Sequence, residues 1–311
     1  MRPFTKDSVV CFLGDSITAN GQWIRRIYDY YRHEAKIPCK FYNCGVGGDK
    51  AEHGYWRMEE TVFCYQPTHV VVAFGMNDSG YFNFKEAPLT DTQIMERRRK
   101  LDTCIYSLRA IATKCANRGI QVSFCTPTLP DELSDVPTPN YLGAAAAVLE
   151  TSLRIRSLAA DRGIEVVDFT MPFRDISLKL FKQGLSLVSP DRIHPVAEGH
   201  EFMARLFLQA QGFDVTVPQT WEELQELAQQ PHDEWENRRY QLETETNCNM
   251  YVDWDFGFGK KTPEAMDDAI ALQLQQEDRP HIRQRLTDYS ENRDLIPARR
   301  QALIDFTNTV K

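Results

Sequence analysis

Five residue types that are far apart in the sequence match what acyl transfer requires. Ser16 offers a hydroxyl nucleophile, and His194 offers a base that can accept the hydroxyl proton. Asp191, three residues before His194, can hold the imidazole in the required tautomer. The N–H of Ser16, a backbone N–H in the Gly47-Gly48 turn and the Asn77 amide are donors suited to a developing oxyanion. Together they predict a serine hydrolase site.

Each of these stretches also has an ordinary structural explanation when it stands alone. Gly14-Asp15-Ser16 is a common turn sequence, and a serine at such a junction often caps a helix. Asn77 suits an Asx turn, and Asp191 and His194 suit a surface pair. The catalytic interpretation therefore depends on the stretches occurring together, each shortly beyond a predicted strand.

Short apolar runs alternate with longer helical patterns over the first two thirds of the chain. We predict strands at Val9–Leu13, Lys40–Asn43, His69–Phe74, Gln121–Cys125 and Glu165–Val167. This alternation indicates a parallel sheet covered on both faces, and right-handed crossovers then favour a doubly wound, flavodoxin-like layout. Ligands bind outside the carboxyl ends of the strands in such a sheet, so the polar stretches should share one edge.

Helical periodicity and stop signals predict the segments that cover this sheet. The predicted helices are Ile24 to Ala35, Thr92 to Asn117, Asn140 to Arg162 and Pro195 to Gln211. The segment Pro172 to Val188, which precedes the Asp191 stretch, is assigned no element.

The pattern changes after Gly212, which suggests a division of the chain. We predict a catalytic domain at residues 1–212 and a mostly helical extension at 213–311, with a helix at Trp221–Gln229 capped by Thr220. Asn247–Gly259 is an aromatic, glycine-rich loop, and Thr262 is expected to cap a later helix. The extension is interpreted as a lid, a dimer contact that forms a homo-oligomer, or packing against the catalytic domain, with packing as the default.

The four stretches resemble the sequence blocks of the SGNH (GDSL-type) hydrolase superfamily, which contains esterases, lipases and carbohydrate deacetylases. The resemblance covers roughly residues 8 to 212. "GDSIT" matches the first block, "NCGVGGD" the second, "GMND" the third and "DRIHPVAEGHEFMA" the last. It implies Ser16 as nucleophile, Asp191 and His194 as acid and base, and oxyanion donors at Ser16, Gly48 and Asn77.

The resemblance also carries expectations about the fold and the rest of the site. It implies a three-layer α/β/α fold with a five-stranded parallel sheet in the order 2-1-3-4-5, and neither a metal nor a cofactor. Three aspartates at family positions are interpreted as supporting or capping residues: Asp15, Asp49 and Asp78. Three more residues are candidates for lining a substrate pocket: Thr126, and His53 and Trp56, which an ordinary half-buried helix explains equally well.

Composition and charge exclude several other classes of function. A net charge of −8 and a pI near 5.5 argue against nucleic-acid binding, and the one basic cluster, Arg97 to Lys100, is interpreted as a solvated helix face. No apolar run is long enough to span a membrane, and the apolar stretch near the N-terminus is too short for a signal peptide. The eight cysteines show no metal-binding spacing, which suits a reducing, cytoplasmic location.

These observations predict a serine esterase that acts on a small-molecule substrate. We expect it to remove a short acyl group, acetyl in the first instance, from a small carbohydrate through an acyl-enzyme. A thioesterase or a lysophospholipase is the alternative enzyme. A ligand-binding scaffold with a vestigial site is the alternative outside catalysis.

Overall fold

A computed structural model describes residues 1–85, 88–247, 263–276 and 280–310 of the chain. The chain divides into two compact units, Met1–His232 and Asp233–Lys311. The first unit contains all of the stretches that carry the predicted chemistry. No helix in the described parts of the chain is long and apolar enough to cross a membrane.

The first unit is built on one sheet of five parallel strands. They are β1 (Val9–Gly14), β2 (Lys40–Gly45), β3 (His69–Ala73), β4 (Gln121–Cys125) and β5 (Glu165–Val167). The strand order is β2-β1-β3-β4-β5, and every neighbouring pair is parallel. The predicted three-layer α/β/α fold and its sheet order are confirmed.

Helices of the first unit connect the strands and follow the last of them. They are α1 (Ser16–Asn20), α2 (Gln22–Asp29), α3 (Ala51–Trp56), α4 (Met58–Thr61), α5 (Asp91–Ala116), α6 (Ala144–Arg162), α7 (Thr170–Phe181), α8 (Ala197–Ala210) and α9 (Trp221–Ala228). The predicted cap of α9 is present, because the Thr220 hydroxyl accepts from the N–H of Glu223 at 3.3 Å.

Three helical segments differ from the sequence prediction. The helix predicted from Ile24 to Ala35 is α-helical only to Asp29 and continues as a π-helix at Tyr30–Glu34. The helix expected from Asn140 begins at Ala144, because Gly143 precedes it with φ +100°, a left-handed conformation that cannot continue a helix. Helix α7 lies inside a segment to which no element was assigned. Its Pro172 lies in the first turn, where proline is tolerated because the N–H that it lacks would have no helical partner.

A buried aromatic cluster anchors α2 and α8 to one face of the sheet. Trp23 of α2 is fully buried, and its ring lies 5.3 Å from Phe12 of β1 and 5.9 Å from Phe207 of α8. Phe169, just after β5, lies 5.7 Å from the same indole. Burying a side chain of this size stabilises the fold by about 2–3 kcal/mol, so the cluster stabilises the packing of α2 and α8 on the sheet.

Residues 213–232 belong to the first compact unit, although the functional boundary was predicted at Gly212. Helix α9 packs against α8. The Arg26 guanidinium donates to the carbonyl oxygens of Ala228 at 2.6 Å and Gln230 at 2.7 Å. The division into catalytic domain and extension at residue 212 stays a prediction, since compactness does not report function.

The second unit is helical in its described parts. It contains α10 (Glu234–Asn247), α11 (Pro263–Gln276), α12 (Pro280–Asn292) and α13 (Ile296–Thr307). Trp235 stacks on Phe306 with ring centroids 5.2 Å apart, which ties α10 to α13. The aromatic loop predicted after Asn247 and the predicted cap Thr262 lie outside the described residues. A role of this unit as a lid or dimer contact stays a prediction.

Candidate active site

Ser16 lies where β1 ends and α1 begins. It is the first residue of α1, and the N-cap is Asp15, whose carboxylate accepts from the N–H of Ile17 at 3.0 Å. A Cβ on Gly14 would lie 2.2 Å from Thr18 Oγ1 and 2.7 Å from the Ala73 carbonyl oxygen. Glycine is therefore needed there because α1 packs directly against the strand, and this close approach places Ser16 at the carboxyl edge.

Ser16, His194 and Asp191 form a continuous chain of hydrogen-bonded side chains. Ser16 Oγ lies 2.7 Å from His194 Nε2, and His194 Nδ1 lies 2.6 Å from Asp191 Oδ2. Ser16 follows the first strand, whereas the other two lie in the loop before α8. The structure therefore brings together the three residues that the sequence predicts as nucleophile, base and acid.

Asp191 is held as a carboxylate by donors from its own loop. Its Oδ1 accepts from Ser189 Oγ at 2.6 Å, Ile193 N at 2.9 Å and His194 N at 3.0 Å. Partial burial alone would raise the pKa of Asp191, but these hydrogen bonds, led by that from the His194 N–H, lower it to about 2. A permanently charged Asp191 can stabilise an imidazolium at His194.

Gly48 lies in the loop after β2, close to Asn77 in the loop after β3. Asn77 Nδ2 donates to the carbonyl oxygen of Asp49 at 2.9 Å, which places the amide against the turn that contains Gly48. Gly48 is exposed with φ +83°, a conformation that favours glycine. An amide has two N–H donors, and the second donor of Asn77 has no partner among the described residues.

Arg57, which the sequence analysis did not single out, stabilises this turn through hydrogen bonds. Its guanidinium is fully buried and donates to Asp49 Oδ2 at 2.7 Å, to Thr61 Oγ1 at 3.0 Å and to the Gly14 carbonyl oxygen at 3.2 Å. One side chain thus links the Gly48 turn to the strand that carries Ser16. Asp49, predicted as a supporting residue, is the carboxylate partner of this link.

Asp15 and Asp78 are buried carboxyl groups behind the site. Burial, opposed by the hydrogen bond from the Ile17 N–H and aided by the nearby Asp78 and Asp49, raises the pKa of Asp15 to about 7. Burial raises the pKa of Asp78 to about 6, against the hydrogen bond that it accepts from Ala51 N at 3.1 Å. Both cap backbone N–H groups, as a supporting role requires.

We predict that Asp15→Asn flattens the pH dependence of stability. The folded-state pKa of Asp15 lies above its unfolded value of about 4, so its stabilising contribution is present below about pH 4 and is lost as the pH rises through about 7. Asparagine does not ionise and still caps α1. Melting temperatures at about pH 5 and about pH 8 should therefore differ less in Asp15→Asn than in the wild type.

The exposed Asp7 supplies the matched control for this measurement. Asp7→Asn should leave the difference between the two melting temperatures at its wild-type value. An Asp15→Asn protein with the full wild-type difference would contradict the prediction.

A second arginine that the sequence analysis missed organises the loop that carries the acid and base. Arg192 is buried with φ +71°, and its guanidinium donates to four backbone carbonyls in the segment 131–138. The N–H of Asp131 donates in turn to the Arg192 carbonyl at 2.9 Å. These bonds hold a backbone conformation that costs about 1 kcal/mol or more in a residue with a Cβ, and they tie the 131–138 segment to Asp191 and His194.

The three candidate pocket residues have different surroundings. His53 Nδ1 lies 3.5 Å from Asp49 Oδ1, and its ring lies 5.6 Å from that of Trp56, which is 42% exposed. Thr126 is buried, and its hydroxyl donates to Asp168 and accepts from the N–H of Phe169, both at 2.9 Å. Thr126 thus ties β4 to the start of α7, and contact with substrate stays a prediction for all three residues.

Neither Tyr81 nor Tyr141 was predicted as a site residue. Burial raises the pKa of the Tyr81 hydroxyl to about 12, and electrostatic interactions with Tyr141, Asp191 and Asp15 add to this. Its ring packs edge-on against Tyr141 at 5.4 Å. Tyr81 lies in a short segment without strand or long-helix periodicity, and Tyr141 lies before the observed start of α6, within the helix that was predicted from Asn140.

Comparison with known proteins identifies the family of the chain. The model of the GDSL-like lipase/acylhydrolase family matches residues 12–202. The chain belongs to this family. Membership makes this GDSL-like protein a carboxylic ester hydrolase, and the resemblance to SGNH hydrolases that its four motifs indicated is confirmed. No curated protein sequence matches the chain significantly.

Several solved structures are similar to this GDSL-like hydrolase. A gut microbial diltiazem-metabolizing enzyme has a TM-score of 0.82 and 18% identity, covering 99% of this chain and 95% of that one. An acetyl xylan esterase has a TM-score of 0.52 and 26% identity, covering 65% of this chain and 98% of its own. Axe2, an acetylxylan esterase from Geobacillus stearothermophilus, has a TM-score of 0.54 and 20% identity, with coverages of 69% and 98%.

Proposed function

We propose that the protein is a serine esterase that removes a short acyl group, acetyl in the first instance, from a small carbohydrate. The observation that carries the proposal is the hydrogen-bonded chain from Ser16 Oγ through His194 to Asp191, at 2.7 Å and 2.6 Å. Such a chain activates a hydroxyl that is otherwise a weak nucleophile.

The reaction proceeds in two steps. Ser16 Oγ attacks the ester carbonyl while His194 Nε2 accepts the hydroxyl proton, and Asp191 stabilises the imidazolium. His194 then gives that proton to the leaving alcohol, which leaves the acyl group bonded to Ser16. In the second step His194 deprotonates a water molecule that attacks this ester, and the proton returns to Ser16 as the free acid departs.

Three donors stabilise the negative charge on the carbonyl oxygen. They are the backbone N–H groups of Ser16 and Gly48 and the amide of Asn77. Two features support this assignment: the exposed, left-handed turn at Gly48 and the hydrogen bond that holds Asn77 against it. Donors that are already oriented stabilise the transition state without the cost of reorganising.

Similarity to an acetyl xylan esterase supports a short acyl group. The acetyl xylan esterase of 26% identity supports a sugar as the alcohol.

The proposal is tested with a series of p-nitrophenyl esters from acetyl to octanoyl and with acetylated xylo-oligosaccharides. We expect kcat/KM to fall by at least about tenfold from acetyl to octanoyl, and acetate to be released from the oligosaccharides. A preference for octanoyl, or for an acyl thioester, would overturn the deacetylase assignment. Equal rates for the wild type and Ser16→Ala would favour a binding scaffold and overturn the esterase mechanism.

Removing the Asn77 side-chain donor should lower kcat by about 10²–10³-fold, with a much smaller change in KM. The reason is that the amide contacts the oxygen mainly once negative charge has developed there. The measurement is steady-state hydrolysis of p-nitrophenyl acetate by Asn77→Ala. The exposed Asn117 at the end of α5 gives the control Asn117→Ala. A loss in Asn77→Ala that is confined to KM would argue against an oxyanion role.

A further inference from the structure

A cavity of about 290 Å³ opens beside the Gly48 turn. Its lining is charged rather than apolar, and the side chains come from the β2–α3 loop, α3, the β3 end and α5. They are Lys50, Glu52, Asp78, Arg99, Lys100 and Thr103. None of these residues belongs to the reacting groups described above.

This cavity is close to the oxyanion donors along the chain. Lys50 comes two residues after Gly48, and Asp78 directly follows Asn77. Since consecutive Cα atoms are 3.8 Å apart, the backbone of Lys50 lies within about 8 Å of that of Gly48. A substrate whose ester carbonyl faces the oxyanion donors can therefore extend a substituent into the cavity.

Two cations in the wall lack ion-pair partners. Lys100 pairs with Glu96 at 2.7 Å, and Arg97, outside the cavity, pairs with Glu150 at 3.1 Å. Lys50 and Arg99, by contrast, form no ion pair with any residue that the structure describes. The sequence analysis interpreted Arg97 to Lys100 as a solvated helix face. Two of these residues, Arg99 and Lys100, also line a cavity.

Among the described residues, the carboxylates of the wall form no ion pair with these two cations, although the charge of Lys50 acts to lower the pKa of Asp78. Asp78 is buried and its oxygens face the N–H of Ala51, at 3.1 Å and 3.4 Å. Glu96 pairs with Lys100, so the two remaining cations of the wall, Lys50 and Arg99, share the cavity with Glu52 and the buried Asp78. Glu52 lines the cavity, and Glu96 lies beside it, so both compete with an anion for these cations.

We propose that this cavity is a subsite for an anionic group, a carboxylate or a phosphate, on the alcohol part of the ester. The proposal rests on the esterase function above and adds a substrate class: acylated sugar acids or sugar phosphates. Arg99 provides a planar fork that matches two anionic oxygens, and Lys50 provides a mobile ammonium in the same lining. The Thr103 hydroxyl already donates to the Arg99 carbonyl oxygen at 3.0 Å, so the two cations are the donors available to the anion.

The test compares matched anionic and neutral esters. One pair is O-acetyl glucuronic acid and its methyl ester, and the other is O-acetyl glucose 6-phosphate and O-acetyl glucose. The enzyme forms are the wild type, the double variant Lys50→Gln/Arg99→Gln and the control Arg98→Gln. Lys50 makes no side-chain cap bond, and Arg98 and Arg99 are exposed on α5, so the variants should fold.

We expect the wild type to prefer at least one anionic ester over its neutral partner by about tenfold in kcat/KM, as two partly exposed ion pairs allow. The double variant should lose this preference, and Arg98→Gln should keep it. Glu52→Gln should increase it. The pair that shows the preference identifies the anion as carboxylate or phosphate. Because such pairs are screened by salt, the preference should shrink as ionic strength rises.

Calorimetric titration with glucuronate, glucose 6-phosphate and glucose measures the binding affinity of the subsite independently of catalysis. Failure to hydrolyse any of the four esters would overturn the esterase function, while tighter binding of an anionic sugar would still support the subsite. Hydrolysis of both members of each pair at equal kcat/KM, or a preference that survives in the double variant, would overturn the subsite and leave the esterase function intact.

Discussion

Replacing Ser16 with alanine should reduce kcat for p-nitrophenyl acetate by at least about 10⁴-fold. Without Oγ, which lies 2.7 Å from His194 Nε2, no acyl-enzyme can form. What is left is the stabilisation that the oxyanion donors and binding provide by themselves. The backbone N–H of residue 16 and the cap at Asp15 are unchanged, so the variant should fold as the wild type does.

Two measurements distinguish loss of the nucleophile from loss of structure. The melting temperature of Ser16→Ala should match that of the wild type, and a serine-directed phosphonate should label only the wild type. Ser157→Ala, which changes an exposed serine on α6, is the matched control and should keep full activity. A Ser16→Ala enzyme that retains activity or is labelled would exclude Ser16 as the nucleophile.

Asp191→Asn should lower kcat by about 10³–10⁴-fold although it changes the shape of the site very little. Asp191 Oδ1 accepts three donors from its own loop, and Oδ2 faces His194 Nδ1 at 2.6 Å. An asparagine keeps those three bonds only by placing its oxygen at the Oδ1 position. Its amide N–H then faces Nδ1, so the proton of His194 moves to Nε2, which can no longer accept from Ser16.

Ser189→Ala provides the comparison for this prediction. It removes one of the donors to Asp191 but leaves the carboxylate and the tautomer of His194 in place, so kcat should fall by less than about tenfold. A pH–rate profile of both variants with p-nitrophenyl acetate completes the measurement. Asp191→Asn activity within tenfold of the wild type would show that the carboxylate is not needed to orient His194.

The fold was largely predictable because its signals are local. Strands β1 to β5 are apolar runs separated by helical periodicity, and a right-handed crossover leaves few arrangements for parallel strands. The exceptions were α7, whose Pro172 was compatible with a first helical turn, and the start of α6, where Gly143 adopts a left-handed conformation. Both depend on the backbone conformation of single residues.

The sequence likewise indicated some residues of the candidate site and missed others. Ser16, Gly48, Asn77, Asp191 and His194 were identifiable because each lies in a short motif placed just beyond a strand or in a single loop. Arg192 was not, since among the described residues its guanidinium donates only to backbone carbonyls. The link from Arg57 to the Ser16 strand was not either, since it also ends on a backbone carbonyl, that of Gly14. Every residue has a backbone carbonyl, so no sequence motif indicates which carbonyl will accept a hydrogen bond.

The sequence by itself determined the family, and it predicted the proposed nucleophile, base and acid and the edge of the sheet where they meet. Only the tertiary structure decided how these groups are held and what surrounds them. It placed the 2.7 Å contact between Ser16 and His194, buried Arg57 under the Gly48 turn, and left Lys50 and Arg99 facing one cavity. The physical reason is that residue type sets reactivity, whereas burial, hydrogen-bond partners and charge neighbours exist only once distant segments pack together.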